Sequence, residues 1–177
     1  MNHADHVNIL RPANLPAGGT WADLGAGSGA FTLALRELVG PTADIYAVDK
    51  DPASLVELQR RYGVRFGGTA GLQVREADFR SPLALPELDG VLMANSLHFH
   101  KAKPAILSKV RGLLRPSATL LVVEYNVDRG NLWVPYPFSF ETFRHLAVEA
   151  GFAEPRLLAT HPSSFLGKFY AAAAQAP

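Results

Sequence analysis

A glycine-rich segment directly after a short apolar run is the first feature of this sequence that could do chemistry. The segment reads Asp23-Leu24-Gly25-Ala26-Gly27-Ser28-Gly29. Glycine accepts positive φ angles and lets a ligand approach the backbone where a Cβ would stand in the way. Free N–H groups at the start of a following helix bind a carboxylate as readily as a phosphate. The segment therefore predicts a ligand site, although a tight strand-to-helix turn has a similar composition.

Two further carboxylates follow the next two apolar runs. Asp49 comes 26 residues after Asp23, and Asp78 is followed by Phe79. A carboxylate at the first position can accept hydrogen bonds from both ribose hydroxyls of a nucleoside. At the second position it can accept from an adenine amino group, with the adjacent ring lining the base. A helix cap or a plain loop residue is the alternative, but Asp51 already suits the cap that follows Asp49.

Two histidines follow the fourth apolar run, in Asn95-Ser96-Leu97-His98-Phe99-His100. Histidine is the side chain best suited to act as a general base near neutral pH, which helps when the acceptor is a hydroxyl. His98 and His100 are two residues apart and could share a side of an extended or irregular loop, so both are catalytic candidates. A structural role, with bonds to backbone, is the alternative. No acidic ligand set accompanies them, and no metal site is predicted.

An aromatic segment between prolines follows the fifth apolar run. It begins at Glu124-Tyr125-Asn126 and continues through residues 131–138, which read Asn-Leu-Trp-Val-Pro-Tyr-Pro-Phe. Tyr125, Trp133 and Tyr136 are predicted, with His98, to contact the substrate. The alternative is that these rings pack on the body of the protein or on a second subunit, because exposed aromatic patches mark both kinds of contact.

The elements that must position these residues alternate between apolar strands and amphipathic helices. Strands are predicted at residues 20–24, 44–48, 72–77, 90–94, 117–125, 156–161 and 165–172, and helices at 30–39, after 51, from 104 and after 139. Such alternation predicts a three-layer α/β/α Rossmann-like sandwich with a mostly parallel seven-stranded sheet. The turn at 162–164 is too short for a parallel crossover, so the last two strands form an antiparallel hairpin. In such sheets ligands bind at the carboxyl ends of the strands.

The ends of the chain are predicted to lie outside this pattern, within a single domain spanning residues 1–177. Residues 1–19 are expected to be irregular because Pro12, Pro16 and the Gly18-Gly19 pair disfavour a long helix. Residues 173–177 are expected to form a tail.

Composition limits the class of protein and of partner. The formal net charge is +1 with scattered basic residues, and there is no cysteine, which excludes disulfides and thiolate chemistry. No segment resembles a signal peptide or reaches the roughly 18 apolar residues of a membrane span. We therefore expect a cytoplasmic protein with a small-molecule acceptor and no nucleic-acid or membrane partner, while a homodimer is compatible with the sequence.

Four segments together resemble successive motifs of the class I S-adenosylmethionine-dependent methyltransferases, and among these the small-molecule, methyltransferase type 11-like group. They read WADLGAGSGAFTLAL, YAVDKD, EADF and DGVLMANSLHFH, and the resemblance covers residues 21–125. It implies that S-adenosylmethionine is the cofactor, that the glycine loop contacts its methionine part, and that Asp49 and Asp78 bind ribose and the adenine amino group. The predicted cofactor contacts are Asp23, Gly25, Ala26, Gly27, Ser28, Gly29, Asp49, Lys50, Asp78, Phe79 and Asn95.

The sequence also departs from that family and leaves alternatives open. Only about 20 residues precede the first strand, where the family often has a helical lid, so the pocket is open, completed by a second subunit, or closed by the loop after the fifth strand. The Asn-Pro-Pro-Tyr motif of DNA amino-methylating enzymes is absent. A nicotinamide-dependent oxidoreductase is disfavoured because Ala30 stands where G-x-G-x-x-G has its third glycine. Two alternatives stay open. One is a protein or RNA methyltransferase, which a positively charged surface at this edge of the sheet would favour, and the other is a non-catalytic cofactor-binding subunit.

Overall fold

Seven strands and five α-helices alternate along the chain, and the computed structural model describes all residues from 1 to 177. The strands are β1 Thr20–Leu24, β2 Asp44–Asp49, β3 Leu72–Glu76, β4 Leu88–Ala94, β5 Leu114–Tyr125, β6 Arg156–Pro162 and β7 Lys168–Gln175. The helices are α1 His3–Leu10, α2 Ala30–Val39, α3 Pro52–Phe66, α4 Lys103–Arg111 and α5 Phe140–Glu149. Short 3₁₀ turns cover Arg11–Ala13 and Leu97–Phe99. None of the helices has both the length and the apolarity that crossing a membrane requires.

The sheet has the order β3-β2-β1-β4-β5-β7-β6. Strands β1 to β5 pair in parallel, and β7 lies between β5 and β6 and is antiparallel to both. The predicted three-layer sandwich with a closing antiparallel hairpin is confirmed. Since β1, β2, β3, β4 and β5 run in the same direction, the loops that follow them meet at one edge.

Alternating side chains divide the core between the two faces of the sheet. Val91 and Met93 of β4 belong to the cluster that includes α4 and α5, while Leu92 between them belongs to the cluster that includes α1 and α2. Helix α3 packs Leu55 and Leu58 on the α2 side. This alternation is what a sheet buried on both faces requires, because successive side chains of a strand point to opposite sides.

The prediction of an irregular segment at residues 1–19 is wrong for its first half. Asn2 and Asp5 form a capping box: the Asn2 side chain accepts from the Asp5 N–H at 3.0 Å, and the Asp5 carboxylate accepts from the Asn2 N–H at 2.7 Å. Helix α1 then buries Val7 and Leu10 against α2. The prolines and glycines only follow this helix, so they end it and do not prevent it.

The predicted tail at residues 173–177 is also wrong. Strand β7 continues to Gln175, with Ala173 opposite Leu121 and Gln175 opposite Thr119 of β5. Alanine has a weak intrinsic preference for strands, which is why the alanine-rich end gave no strand signal. Here the tertiary context decides, since β7 is paired on both sides and its small side chains fit beneath the helices.

Candidate active site

Two adjoining cavities lie at the sheet edge where the parallel strands end. The larger has a volume of about 370 Å³, at the lower end of the range for small-molecule sites, and the smaller has about 280 Å³. Both are lined by Gly25, Gly27 and Asn95. The larger is also lined by Asp49, Lys50, Ala77, Asp78, Phe79, Ser96, Phe99 and His100. The smaller is also lined by His6, Asp23, Ala26, Ser28, Ala30, Phe31 and Ala94.

The three glycines of the loop have positive φ angles but different reasons to be glycine. A Cβ on Gly25 (φ +83°) would lie 2.5 Å from the Ser96 Cβ, and one on Gly29 (φ +86°) would lie 2.6 Å from the Leu58 Cγ. The protein's own packing therefore requires these two. A Cβ on Gly27 would meet nothing within 4 Å. Gly27 faces open space between the cavities, which is where a ligand would pass closest to the backbone.

Asp49 is held at the rim of the larger cavity by two backbone groups. Its Oδ2 accepts from the Gly27 N–H at 2.8 Å, and its Oδ1 accepts from the Asp51 N–H at 3.0 Å. Each carboxylate oxygen has a second lone pair. The arrangement fixes the carboxylate and leaves it able to accept from two neighbouring hydroxyl groups. Lys50 lines the same cavity and is exposed.

Asp78, Phe79 and His100 form one wall of the larger cavity. Asp78 accepts from the Arg80 guanidinium at 2.9 Å and from the Arg80 backbone N–H at 2.9 Å. The Arg80 side chain is the main reason that the pKa of Asp78 falls to about 2. The Phe79 and His100 rings meet edge to face, with centroids 5.2 Å apart. Two rings beside a carboxylate suit a flat heterocycle bearing an amino group.

The smaller cavity offers both donors and acceptors. The N–H groups of Ala30 and Phe31, at the start of α2, make no hydrogen bond within the protein. Asn95, with φ +53°, has a buried Oδ1 that also lacks a partner. Asp23 lines the same space. A ligand with a carboxylate and an ammonium group, such as the methionine part of S-adenosylmethionine, would satisfy these groups, so the residues present fit that cofactor.

Asp23 is almost fully buried and accepts from the Thr32 hydroxyl at 2.6 Å. Burial is the main reason that its pKa rises from 3.8 to about 7. Between these two pH values the folded protein binds one proton more than the unfolded chain. The free energy of unfolding therefore falls, through this group, as pH rises through that window.

We expect Asp23→Asn to remove this pH dependence, because the amide stays neutral and its oxygen can still accept from Thr32. Urea unfolding of the cofactor-free protein from pH 5 to pH 8 checks it. Relative to the variant, the wild-type protein should lose stability as pH rises, with the change complete slightly above pH 7. Asp44→Asn, at an exposed position on β2, is the control. Parallel pH profiles for wild type and Asp23→Asn would contradict the assignment.

The two histidines of the loop after β4 lie in different surroundings. The 3₁₀ turn Leu97–Phe99 separates them. His100 belongs to the wall of the larger cavity, whereas His98 is not among the residues that line either cavity. His98 points at Glu124, near the end of β5, and its Nδ1 lies 2.6 Å from Glu124 Oε2. The two histidines, which the sequence allowed to share one side of the loop, therefore lie in separate surroundings.

The His98–Glu124 pair is buried and fixed at both oxygens of the carboxylate. Glu124 has no exposed surface, and its Oε1 accepts from the backbone N–H groups of Leu97 and His98 at 2.9 and 3.2 Å. The His98 side chain is 4% exposed. Its Nε2 makes no hydrogen bond in the protein and is not one of the buried unpartnered atoms, so a polar group can reach it from outside. This arrangement suits a general base whose orientation is set by a carboxylate.

Apolar rings surround His98. The Phe99 ring centroid lies 4.2 Å away and the Tyr125 ring centroid 5.7 Å away, and Tyr125 itself packs on Phe169. Phe99 also lines the larger cavity. The Phe99 ring thus lies between His98 and the larger cavity, which Asp49, Asp78 and Asn95 also line.

The segment after β5 is anchored, but its tryptophan points outward. Asn131 Oδ1 accepts from the N–H groups of Trp133 and Val134, and Val134 is buried. The Tyr136 N–H donates to the His98 carbonyl at 2.9 Å. Trp133 is 71% exposed. Neither Trp133 nor Tyr136 lines the two cavities. The loop contacts His98 through the Tyr136 backbone and exposes the Trp133 ring to solvent.

Sequence reasoning did not find the pairing of His98 with Glu124 or the contribution of His6. The first could have been found, because β4 and β5 are adjacent parallel strands and Ala94 is opposite Val123. A carboxylate one residue further along β5 must lie beside the loop after β4. His6 gave no signal, since helix α1 was not predicted. No group of three or more His, Asp or Glu side chains is placed to hold a metal ion.

Comparison with known proteins gives one family and several relatives. The family described as a methyltransferase domain matches residues 22–120. Over 108 residues the chain is 32% identical to a hybrid PKS-NRPS synthetase, lepA, of Aspergillus flavus. Over 69 residues it is 35% identical to a protein of Pyrobaculum aerophilum described as a cobalt-precorrin-6B C(15)-methyltransferase. The aligned regions are 58% and 39% of this chain but only 3% and 35% of those relatives.

Among solved structures, a protein from Nostoc punctiforme described as an O-methyltransferase superposes with a TM-score of 0.80. The match covers 99% of this chain and 56% of that one, at 19% identity. At this identity the likeness establishes the fold. This chain spans just over half the length of that protein.

Proposed function

We propose, from the premise that this chain belongs to the class I S-adenosylmethionine-dependent methyltransferase family, that it transfers a methyl group to a hydroxyl of a small molecule, with His98 as the base. The observation that carries the proposal is the buried His98–Glu124 pair beside the cofactor cavities. Methyl groups can be accepted without a base by amines and thiolates. A hydroxyl is a weaker nucleophile and benefits from a group that takes its proton.

The cofactor would lie across the two cavities with its chain passing Gly27. Asp49 would accept from the ribose hydroxyls, Asp78 and the Phe79–His100 wall would hold the adenine, and Asn95 with the start of α2 would hold the amino-acid end. When bound, S-adenosylmethionine supplies a methyl group on a sulfonium, which is already activated for in-line displacement. The protein's part is to hold that methyl and the acceptor oxygen close and in line.

His98 would accept the proton of the acceptor hydroxyl at Nε2. Glu124 Oε1 accepts from two backbone N–H groups, and an ionised carboxylate can only accept, so the proton between the two side chains is assigned to Nδ1. That assignment leaves a lone pair on Nε2. Burial of the pair among Phe99 and Tyr125 excludes water from the other ring faces, which strengthens the interaction of the resulting imidazolium with Glu124.

One comparison supports a small-molecule acceptor, and another supports transfer to oxygen. The name of the Pyrobaculum relative describes methylation of a cobalt-precorrin, and the name of the Nostoc protein describes methylation at oxygen. We extend both features, a small acceptor and transfer to oxygen, to this chain. Methylation of a protein or an RNA is the second candidate.

Labelling separates these candidates. The protein is incubated with methyl-labelled S-adenosylmethionine and an extract divided into fractions below and above about 1 kDa. We expect labelled product in the small fraction that stays non-volatile after alkaline hydrolysis, as a methyl ether does, whereas label released as methanol would indicate a methyl ester and contradict transfer to a hydroxyl. Asp49→Ala serves as the inactive control. Label found only in the macromolecular fraction, or in neither, would contradict the proposal.

We also expect Trp133 to cover part of the acceptor, because its exposed ring lies on a fixed loop whose backbone contacts His98. Trp133→Ala should raise KM for the acceptor about tenfold, which corresponds to the loss of one apolar contact of about 1.4 kcal/mol. Affinity for S-adenosylhomocysteine should not change. Leu132→Ala, at the even more exposed neighbour, is the matched control. Unchanged KM in Trp133→Ala would remove this residue from the acceptor site.

A further inference from the structure

A groove with a strongly positive lining adjoins the larger cavity. It has a volume of about 360 Å³ and shares Phe99 and His100 with that cavity. Its cations are Arg80, Lys101 and Lys109. The remaining lining residues, Ala102, Ala105 and Ile106, form an apolar floor at the start of helix α4. No role in holding S-adenosylmethionine has been assigned to this groove.

One acid, Asp78, balances part of the positive charge of the groove, and it pairs with Arg80 alone. Lys101 and Lys109 form no ion pair. The polar contacts they make are a Lys101 cation–π contact with the Tyr136 ring, at 5.6 Å, and a hydrogen bond from Lys109 to the Arg80 carbonyl. Asp78 binds the Nε and one terminal nitrogen of Arg80, which leaves the other terminal nitrogen without a partner.

The clustering is local, because the chain as a whole has a net charge of only +1. Of its five lysines, four lie at this edge of the sheet: Lys50 at the larger cavity, Lys101 and Lys109 in the groove, and Lys103 buried beside the His100 carbonyl. The fold brings Lys50 and Arg80, which are distant in the sequence, to the same edge as the three lysines within residues 101–109. Unpaired cations held together raise the local concentration of anions and favour an anionic ligand.

We propose that this groove binds a phosphate monoester group of the methyl acceptor; the inference rests on the proposed function and narrows its substrate class. A phosphate monoester carries a charge of about −1.5 to −2 at neutral pH. Three cations and the neighbouring Asp78 carboxylate leave a net charge of about +2. This charge matches a phosphate monoester better than it matches a ligand with one carboxylate group. Phe99 connects the groove to His98, since their ring centroids are 4.2 Å apart. An acceptor anchored by phosphate in the groove would extend across Phe99 to the base.

The size of the groove argues for one phosphate and against an RNA backbone. Nucleic-acid interfaces typically neutralise about six to ten phosphates along an extended surface. Here three cations converge on one space, and beyond Lys50 no further basic side chain lines the adjoining cavity. A single phosphoryl group satisfies the set.

The test is a titration of the full chain with inorganic phosphate, monitored through the backbone amide signals in NMR spectra. The ionic strength is held constant with chloride. We expect saturable shifts at Lys101, Ala105 and Lys109. In the double variant Lys101→Gln, Lys109→Gln the dissociation constant should rise at least tenfold. Lys168→Gln, the one lysine away from this edge and exposed on β7, should bind phosphate like the wild type.

The affinity for S-adenosylhomocysteine is measured separately and should stay within twofold in all variants. Phosphate that competes with S-adenosylhomocysteine would place the anion in the cofactor cavity and overturn the proposal. So would equal weakening in Lys168→Gln, equal binding of acetate, or tighter binding of a single-stranded RNA that needs the same two lysines. If the wild-type protein fails to bind S-adenosylhomocysteine, the proposed function fails, while the phosphate titration still decides the groove on its own.

Discussion

Replacing Asp49 with alanine should weaken the binding of S-adenosylhomocysteine by well over tenfold, and by up to about a hundredfold. The change removes the acceptor assigned to the ribose hydroxyls and releases the Gly27 N–H from its only partner. Both effects act on the ligand side of the loop, because Gly25 and Ala26 are held independently by the Val48 carbonyl. A hundredfold loss corresponds to about 2.7 kcal/mol, which is reasonable for a charge-assisted pair of hydrogen bonds.

Isothermal titration calorimetry measures this directly and needs no acceptor. Asp44→Asn, at the exposed start of the same strand, should bind like the wild type. Asp49→Asn should lie between, since its amide oxygen can still accept one hydrogen bond. Circular dichroism confirms that each variant is folded. If folded Asp49→Ala binds with wild-type affinity, the ribose assignment is wrong.

Loss of His98 should leave cofactor binding intact and reduce turnover. We expect His98→Gln to lower kcat by 10² to 10⁴, the usual contribution of a general base. Glu124→Gln should also lower kcat, by a smaller factor than His98→Gln, because an amide orients the ring less well and stabilises the imidazolium less. Neither change should move the affinity for S-adenosylhomocysteine by more than about twofold, since neither residue lines the cofactor cavities.

Two other histidines make the comparison specific. His145→Gln, on the exposed side of α5, should be indistinguishable from wild type. His100→Gln should show the opposite pattern to His98→Gln, with weaker cofactor binding and a smaller effect on kcat, because His100 packs against Phe79 in the cavity wall. If His98→Gln turns over at the wild-type rate once a substrate is known, the chain works by positioning alone.

The residues that follow strands were accessible from the sequence because apolar runs locate strands well. The ends of β1 and α2 were predicted to the residue, Asp51 was recognised as a helix cap, and the last helix was placed directly after residue 139. The loops that follow parallel strands all lie at the same edge of the sheet. Gly25, Asp49 and Asp78 follow three such strands and line one cavity.

What the sequence did not reveal depends on contacts between distant segments. Glu124 is 26 residues from His98 along the chain, and only the register of β4 against β5 makes them neighbours. The basic groove combines Arg80, after β3, with Lys101, which precedes α4, and Lys109, in the last turn of that helix. Local patterns such as periodicity or turn signals carry no information about such pairs, whereas strand order does.

The position of β7 has a consequence for biosynthesis. This strand leaves the ribosome after β6, yet it must be inserted between β6 and β5, the longest strand of the sheet. Until residue 168 has emerged, the twelve residues of β5 have one unpaired edge, and β6 has no partner at all. Such edges recruit other chains and are a common origin of aggregation in partly synthesised proteins. Synthesis of β7 therefore ends the period in which the nascent sheet exposes unpaired strand edges to other chains. A chain truncated before β7 is expected to aggregate, and not merely to lose activity.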